Sequence, residues 1–111
     1  MTASDRARPL VALVTHPVEG AGELAQRLVA QGVAACVNLV LVQSVYRWEG
    51  EVRDDPETLL VVKTTAGRRE ELAAILAREH PYAVPELVVL EPQWVEAKYL
   101  AWLCGETGEG R

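Results

Sequence analysis

Cysteine is scarce, and the scarcity is informative. The 111-residue chain has two, Cys36 and Cys104, far apart and without paired metal spacing, so neither a disulfide framework nor a zinc knuckle is indicated and reduced thiols are expected. Long apolar runs are missing as well. Nothing approaches the roughly eighteen consecutive apolar residues that cross a bilayer. The opening MTASDRARPL has basic residues with no apolar h-region after them, the following LVALV being too short, and the cytoplasm is the expected compartment. Positive charge is in deficit, with 11 Lys and Arg against 16 Asp and Glu and a formal net charge of -5. Clustered cations drive nucleic-acid binding through counterion release, so DNA and RNA are excluded as expected partners, and with them an RNA-binding module. Chemical signatures are equally sparse: there is no Ser-His-Asp order, no phosphate-cradling Gly loop and no carboxylate pair with an evident acid and base.

Against these absences stands one stretch that organises the chain, AACVNLVLVQSVYRWEGEVRDDPETLLVVKTT at residues 34–65. From Cys36 to Trp48 it is mainly Val, Leu, Tyr and Trp with neither Pro nor Gly, the composition of a pleated, half-buried strand. A strand of this length at ~3.3 Å per residue spans about 43 Å. A compact domain of this size has a radius of gyration near ~13 Å, hence a diameter of roughly 35 Å. The strand therefore outruns its own domain. It either bends sharply or projects and pairs with another copy, because a long bare apolar edge promotes uncontrolled aggregation. A specific oligomer is expected. Glu49-Gly50 returns the chain as a hairpin, Gly50 supplying a positive φ. Arg53-Asp54-Asp55-Pro56-Glu57 reads as a bulge or short loop before TLLVVKTT resumes the sheet, since Pro donates no ladder bond.

The flanking segments complete the pattern. Residues 9–15 are almost wholly apolar, as in a central strand buried on both faces. A helix follows from about Glu19 to Gln31, with Leu24, Ala25, Leu28 and Val29 as its stripe and Gly32 at C′. After the hairpin, Thr65 is placed as N-cap of a second helix from about Gly67 to Glu79 with Leu72, Ile75 and Leu76 on one face, stopped by His80-Pro81. A fourth strand, LVVLE, and a last helix over Val95–Leu103, with Val95, Tyr99, Trp102 and Leu103 on one side, end at Gly105. The order β, α, β, β, α, β plus a terminal helix predicts an α+β fold of ferredoxin-like arrangement: an antiparallel sheet, helices on one face and the other face open. One domain over residues 10–104 is expected, with a flexible arm at 1–9 and a disordered tail at 105–111.

Five motifs stand in sequence: AACVN at 34–38, SVYRWEG at 44–50, KTT at 63–65, HPYAVPE at 80–86 and YLAWL at 99–103. Together they resemble the CutA family, over roughly residues 10–104. The resemblance implies a cytoplasmic homotrimer of ferredoxin-like subunits, associated with tolerance to divalent cations and described as binding copper, with an architecture similar to PII signalling proteins and no established reaction. The copper ligands ascribed to the family are a cysteine in the first strand and two adjacent histidines before the Pro-Tyr. Here Val14, Glu79 and His80 stand at those positions, allowing one gap in the first helix region. Glutamate can ligate through oxygen and valine cannot, so a metal, copper or another divalent cation, falls to His80 and Glu79.

The remaining candidates are weighed against plainer roles. His80 past a helix C-terminus can simply cap it, and His16 sits in a turn before Pro17. Cys36 and Cys104 suit inert packing. Tyr46 and Trp48 share a strand face with Ser44; the two aromatics are interface packing or, with Cys36, Lys63, Tyr82 and Glu86, the wall of a ligand cleft between subunits. Lys63 needs a carboxylate partner if buried, and Glu86 is a candidate. The first expectation is thus a trimeric binding module for a metal ion or small ligand, not an enzyme. The alternative is a small enzyme using His80 and Glu86.

Overall fold

The computed structural model describes residues 1–109. Its elements are α1 (Ala3–Arg6), β1 (Pro9–His16), α2 (Ala21–Ala30), β2 (Cys36–Trp48), β3 (Glu51–Thr65), α3 (Arg69–Glu79), β4 (Val88–Leu90) and α4 (Ala97–Glu106), with a 3-10 turn at Ala66–Arg68 before α3. The strands form one four-stranded sheet in the order β2-β3-β1-β4, with every pairing antiparallel. The core lies between this sheet and the apolar stripes of α2 and α3. Leu24 and Leu28 from α2 and Leu72, Ile75 and Leu76 from α3 meet Ala12, Val14, Leu60 and Val62 there. Among the described residues, no helix is long and apolar enough to cross a membrane.

β1 is central, as its composition implies, but not buried on both faces. Leu10, Ala12, Val14 and His16 are buried under the helices, while Pro9, Val11, Leu13 and Thr15 on the opposite face are half-buried. The α+β reading with helices over one face accounts for this alternation. α2 ends at Gly32 with φ 72°, its amide donating to Val29 and that of Val33 to Leu28, so glycine closes the helix where a left-handed residue is needed.

The hairpin is more regular than its sequence suggests. Its turn puts Glu49 at φ 50° and Gly50 at φ 81°, the paired positive values of a tight two-residue turn. β2 pairs with β3 without interruption from Cys36↔Lys63 to Trp48↔Glu51, so the bulge or loop expected at Arg53–Glu57 is absent. Pro56 is tolerated because β1 stops at the His16↔Thr58 rung. Beyond that rung β3 is an edge, and a missing N–H there breaks no ladder on its outer side. The seven rungs from Val42↔Glu57 to Trp48↔Glu51 project past the sheet, roughly 24 Å of ribbon. The chain accordingly measures 47 × 26 × 24 Å, with a radius of gyration of 14.7 Å.

Residues 1–9 and 105–109 make defined contacts with the body. Thr2 and Asp5 close a capping box on α1, and Arg6 grips Glu109 through two bonds of 3.2 and 3.0 Å. α4 continues past Leu103 and Gly105 to Glu106. Thr107 is buried, its hydroxyl donating to Leu103 O and accepting from Thr65. Thr65 therefore binds the chain end instead of capping the helix after it. Residues 105–109 of the expected tail thus carry the end of α4 and these contacts; its last two positions, 110 and 111, lie outside the described residues. At the other end of α4 the Glu96 carboxylate accepts from the Lys98 and Tyr99 amides at 3.0 and 3.1 Å, which starts the helix later than Val95. Of the residues expected on its buried side, only Leu103 is buried; Tyr99 and Trp102 are exposed and lie against each other.

Candidate functional site

Where the hairpin leaves the sheet, three segments converge around a cavity of about 700 Å³. β2 contributes Ser44, Val45, Tyr46 and Trp48, β3 contributes Arg53 and Glu57, and the loop after α3 contributes Tyr82, Val84 and Glu86. The loop takes this course because His80, at the end of α3, is extended (ψ 138°) before Pro81, as the restriction on pre-proline residues requires.

His80 anchors the loop. Its Nδ1 accepts from the Tyr82 amide at 3.1 Å, so the proton sits on Nε2, which donates to Thr15 O at 2.8 Å. Burial is the main force holding its pKa below the ordinary histidine value of 6.5, and the neighbouring His16 acts in the same direction. His16, buried at the end of β1, donates from Nδ1 to Pro17 O at 2.8 Å and packs its ring edge-on to His80, centroids 4.9 Å apart. The His80 ring in turn lies 4.8 Å from Tyr82. Tyr82 donates its hydroxyl to Glu57 at 2.6 Å. Burial, then this bond, push its phenol well above the usual range. Tyr46 donates likewise to Asp55 at 2.7 Å, which raises its pKa too. Glu86, on the cavity wall, accepts from Thr15 Oγ1 at 3.4 Å.

Tyr46, Trp48, Tyr82 and Glu86 are thus brought to one cavity, whereas Cys36 and Lys63 are not. Those two face each other in register at the opposite end of β2 and β3. Lys63 makes no ion pair among the described residues, and Glu86 cannot serve as its partner. Glu57 was missed by sequence reasoning. It sits in the charged run taken for a loop, yet it is 6 % exposed, and its one local signal is that it ends the acidic run where apolar alternation begins. His16 was set aside as a turn residue; its edge-on contact with His80 forms across residues 64 positions apart and leaves no trace in sequence spacing.

The copper set fails a direct fit. Val14 is fully buried core. Glu79 points to Arg27 and Arg78, at 3.1 and 3.3 Å. Both ring nitrogens of His80 are already bonded to backbone, and among the described residues no three His, Cys, Asp or Glu side chains gather as a metal site.

The family profile described as "CutA1 divalent ion tolerance protein" matches residues 10–106. The chain is 45% identical over 100 residues, 88% of itself and 97% of the relative, to the divalent-cation tolerance protein CutA of Thermus thermophilus. It is 36% identical over 102 residues to the same-named protein of Escherichia coli, covering 90% of this chain and 91% of that one. Among solved structures, the Thermus thermophilus protein superposes with a TM-score of 0.86 at 44% identity, covering 90% of this chain and 99% of that chain. The PII-like protein CutA from Nostoc in apo form gives a TM-score of 0.85 at 36% identity, covering 88% and 96%. These relatives are named for cation tolerance and for a PII-like fold, not for a reaction. Matched across almost all of its length in sequence and in fold, this chain belongs to the CutA1 divalent ion tolerance family.

Proposed function

We propose that the chain is one subunit of a homotrimer of ferredoxin-like subunits, and that it binds a divalent cation or a small ligand in clefts between subunits in a regulatory role. The observation that carries this reading is the projecting hairpin. Val45 and Val52 lie 65–66% exposed along it, with Leu41 75% exposed one rung below its root, and apolar side chains left in water along a projecting ribbon are covered in a stable protein by a neighbour. The ligand cavity opens at the root of the same hairpin, so a neighbour packed on the ribbon forms its missing wall. A PII-like name on a solved relative supports the regulatory role.

Copper held as ascribed to the family is not part of this proposal, because the donors at those positions are bonded elsewhere. The oxygen donors at the cavity, Glu57 and Glu86, suit a harder cation or a positively charged molecule. The two free cysteines suit a reducing compartment, and the cytoplasm is the one we assign. Light scattering at micromolar concentration tests the assembly. Three times the chain mass is expected; a folded species of a single chain mass overturns the reading.

A further inference from the structure

We infer that the cleft takes a small organic ammonium cation, such as a tertiary or quaternary alkylammonium. This rests on the reading of the cleft as the ligand site of the assembly, and names the chemistry of its occupant. Three aromatic rings, Tyr46 and Trp48 from β2 and Tyr82 from the loop, line one cavity. Ring faces carry negative potential and attract cations, and several rings around one space are the usual device for an alkylated ammonium.

The hydroxyls sharpen this preference. Both phenols donate to carboxylates, Tyr82 to Glu57 at 2.6 Å and Tyr46 to Asp55 at 2.7 Å. Their O–H groups are therefore spent and are not offered to an anion. The carboxylates at the far ends of the rings add negative potential. Glu57 matters most, since its charge is buried and little screened. Glu86 adds an exposed carboxylate on the wall, and Arg53, leaning toward Glu51 at 4.0 Å, is the one cation among the lining residues. Val45 and Val84 offer apolar surface to alkyl groups. A volume of about 700 Å³ falls in the range of small-molecule pockets and far exceeds a bare ion.

Calorimetry on the full chain tests this, with three probes: choline, the neutral alcohol in which carbon replaces choline's nitrogen, and inorganic phosphate. The mass of the same sample is measured alongside. Choline is expected to bind on the order of tenfold more tightly than its neutral twin, and phosphate more weakly than either. Trp48→Leu and Glu86→Gln should each narrow the ratio by weakening choline more than the alcohol. An intact trimer that binds the two alcohols equally, prefers phosphate, or binds none of the three overturns the inference and leaves the assembly standing. A protein that runs as a monomer overturns the assembly reading and this inference with it.

Discussion

One strand lives in two environments. From Glu57 to Thr65, β3 is buried or half-buried at every position, paired to β1 from Thr58 onward and to β2 as far as Lys63, and roofed by the helices. From Glu51 to Pro56 the same strand is exposed throughout, paired on one edge only. The body half is stabilised within the chain by the burial of Leu60 and Val62. The projecting half keeps its ladder bonds but leaves Val45 and Val52 in water. Hydrogen bonding alone contributes little net stability, so the ribbon's regularity points to contacts that the isolated subunit does not contain. The cavity sits at the boundary between the two regimes, and Glu57 is its first buried residue.

The contrast is sharpest in a pair of substitutions. Leu60→Ala, at a site with no exposure, should cost about 2–5 kcal/mol in denaturant unfolding. Val52→Asp, at a site 65% exposed on the projecting ribbon, should change the stability of a dissociated chain by no more than about 0.5 kcal/mol. It should nevertheless reduce the assembled mass and remove the concentration dependence of Tm. If Val52→Asp leaves an oligomer untouched, the division between body and ribbon is wrong. Tyr82→Phe probes the boundary. It leaves the buried Glu57 carboxylate without its donor, and a loss of about 1–3 kcal/mol is expected in the same unfolding measurement.

The smallest effect concerns pH. Burial depresses the His80 pKa below 6.5, so the unfolded chain takes up a proton before the folded one does. The stability that neutral His80 contributes is complete above 6.5 and is lost as pH falls through its depressed folded value. Unfolding curves of His80→Gln against the wild type across this window should show a shallower acid decline for the variant. Parallel curves would mean that His80 is not held neutral at the root of the hairpin.

Much of the body was legible because its signals are local. The stripe of Leu24, Leu28, Leu72, Ile75 and Leu76 has helical spacing, Gly32 and Gly50 mark positive φ, and the Cys36–Trp48 run declares its own length. The unbroken β3 was not legible, since Pro56 is a breaker only where both edges are paired, and which edges are paired depends on where β1 ends. The ordered chain end was hidden for a similar reason: Gly105 and Thr107 read as a stop until Thr65 supplies a partner from 42 residues away.

The sequence by itself determined the elements, the excess length of the hairpin and the family, because periodicity, turn residues and motif order are written within short windows. Tertiary structure alone decided the site. It drew Tyr82 onto Glu57 and His80 onto Thr15 and His16, and it left Cys36 and Lys63 at the body end of β2 and β3, away from the cavity. Those outcomes follow from strand register and from burial at a junction, which are properties of pairs of segments and are carried by neither segment alone.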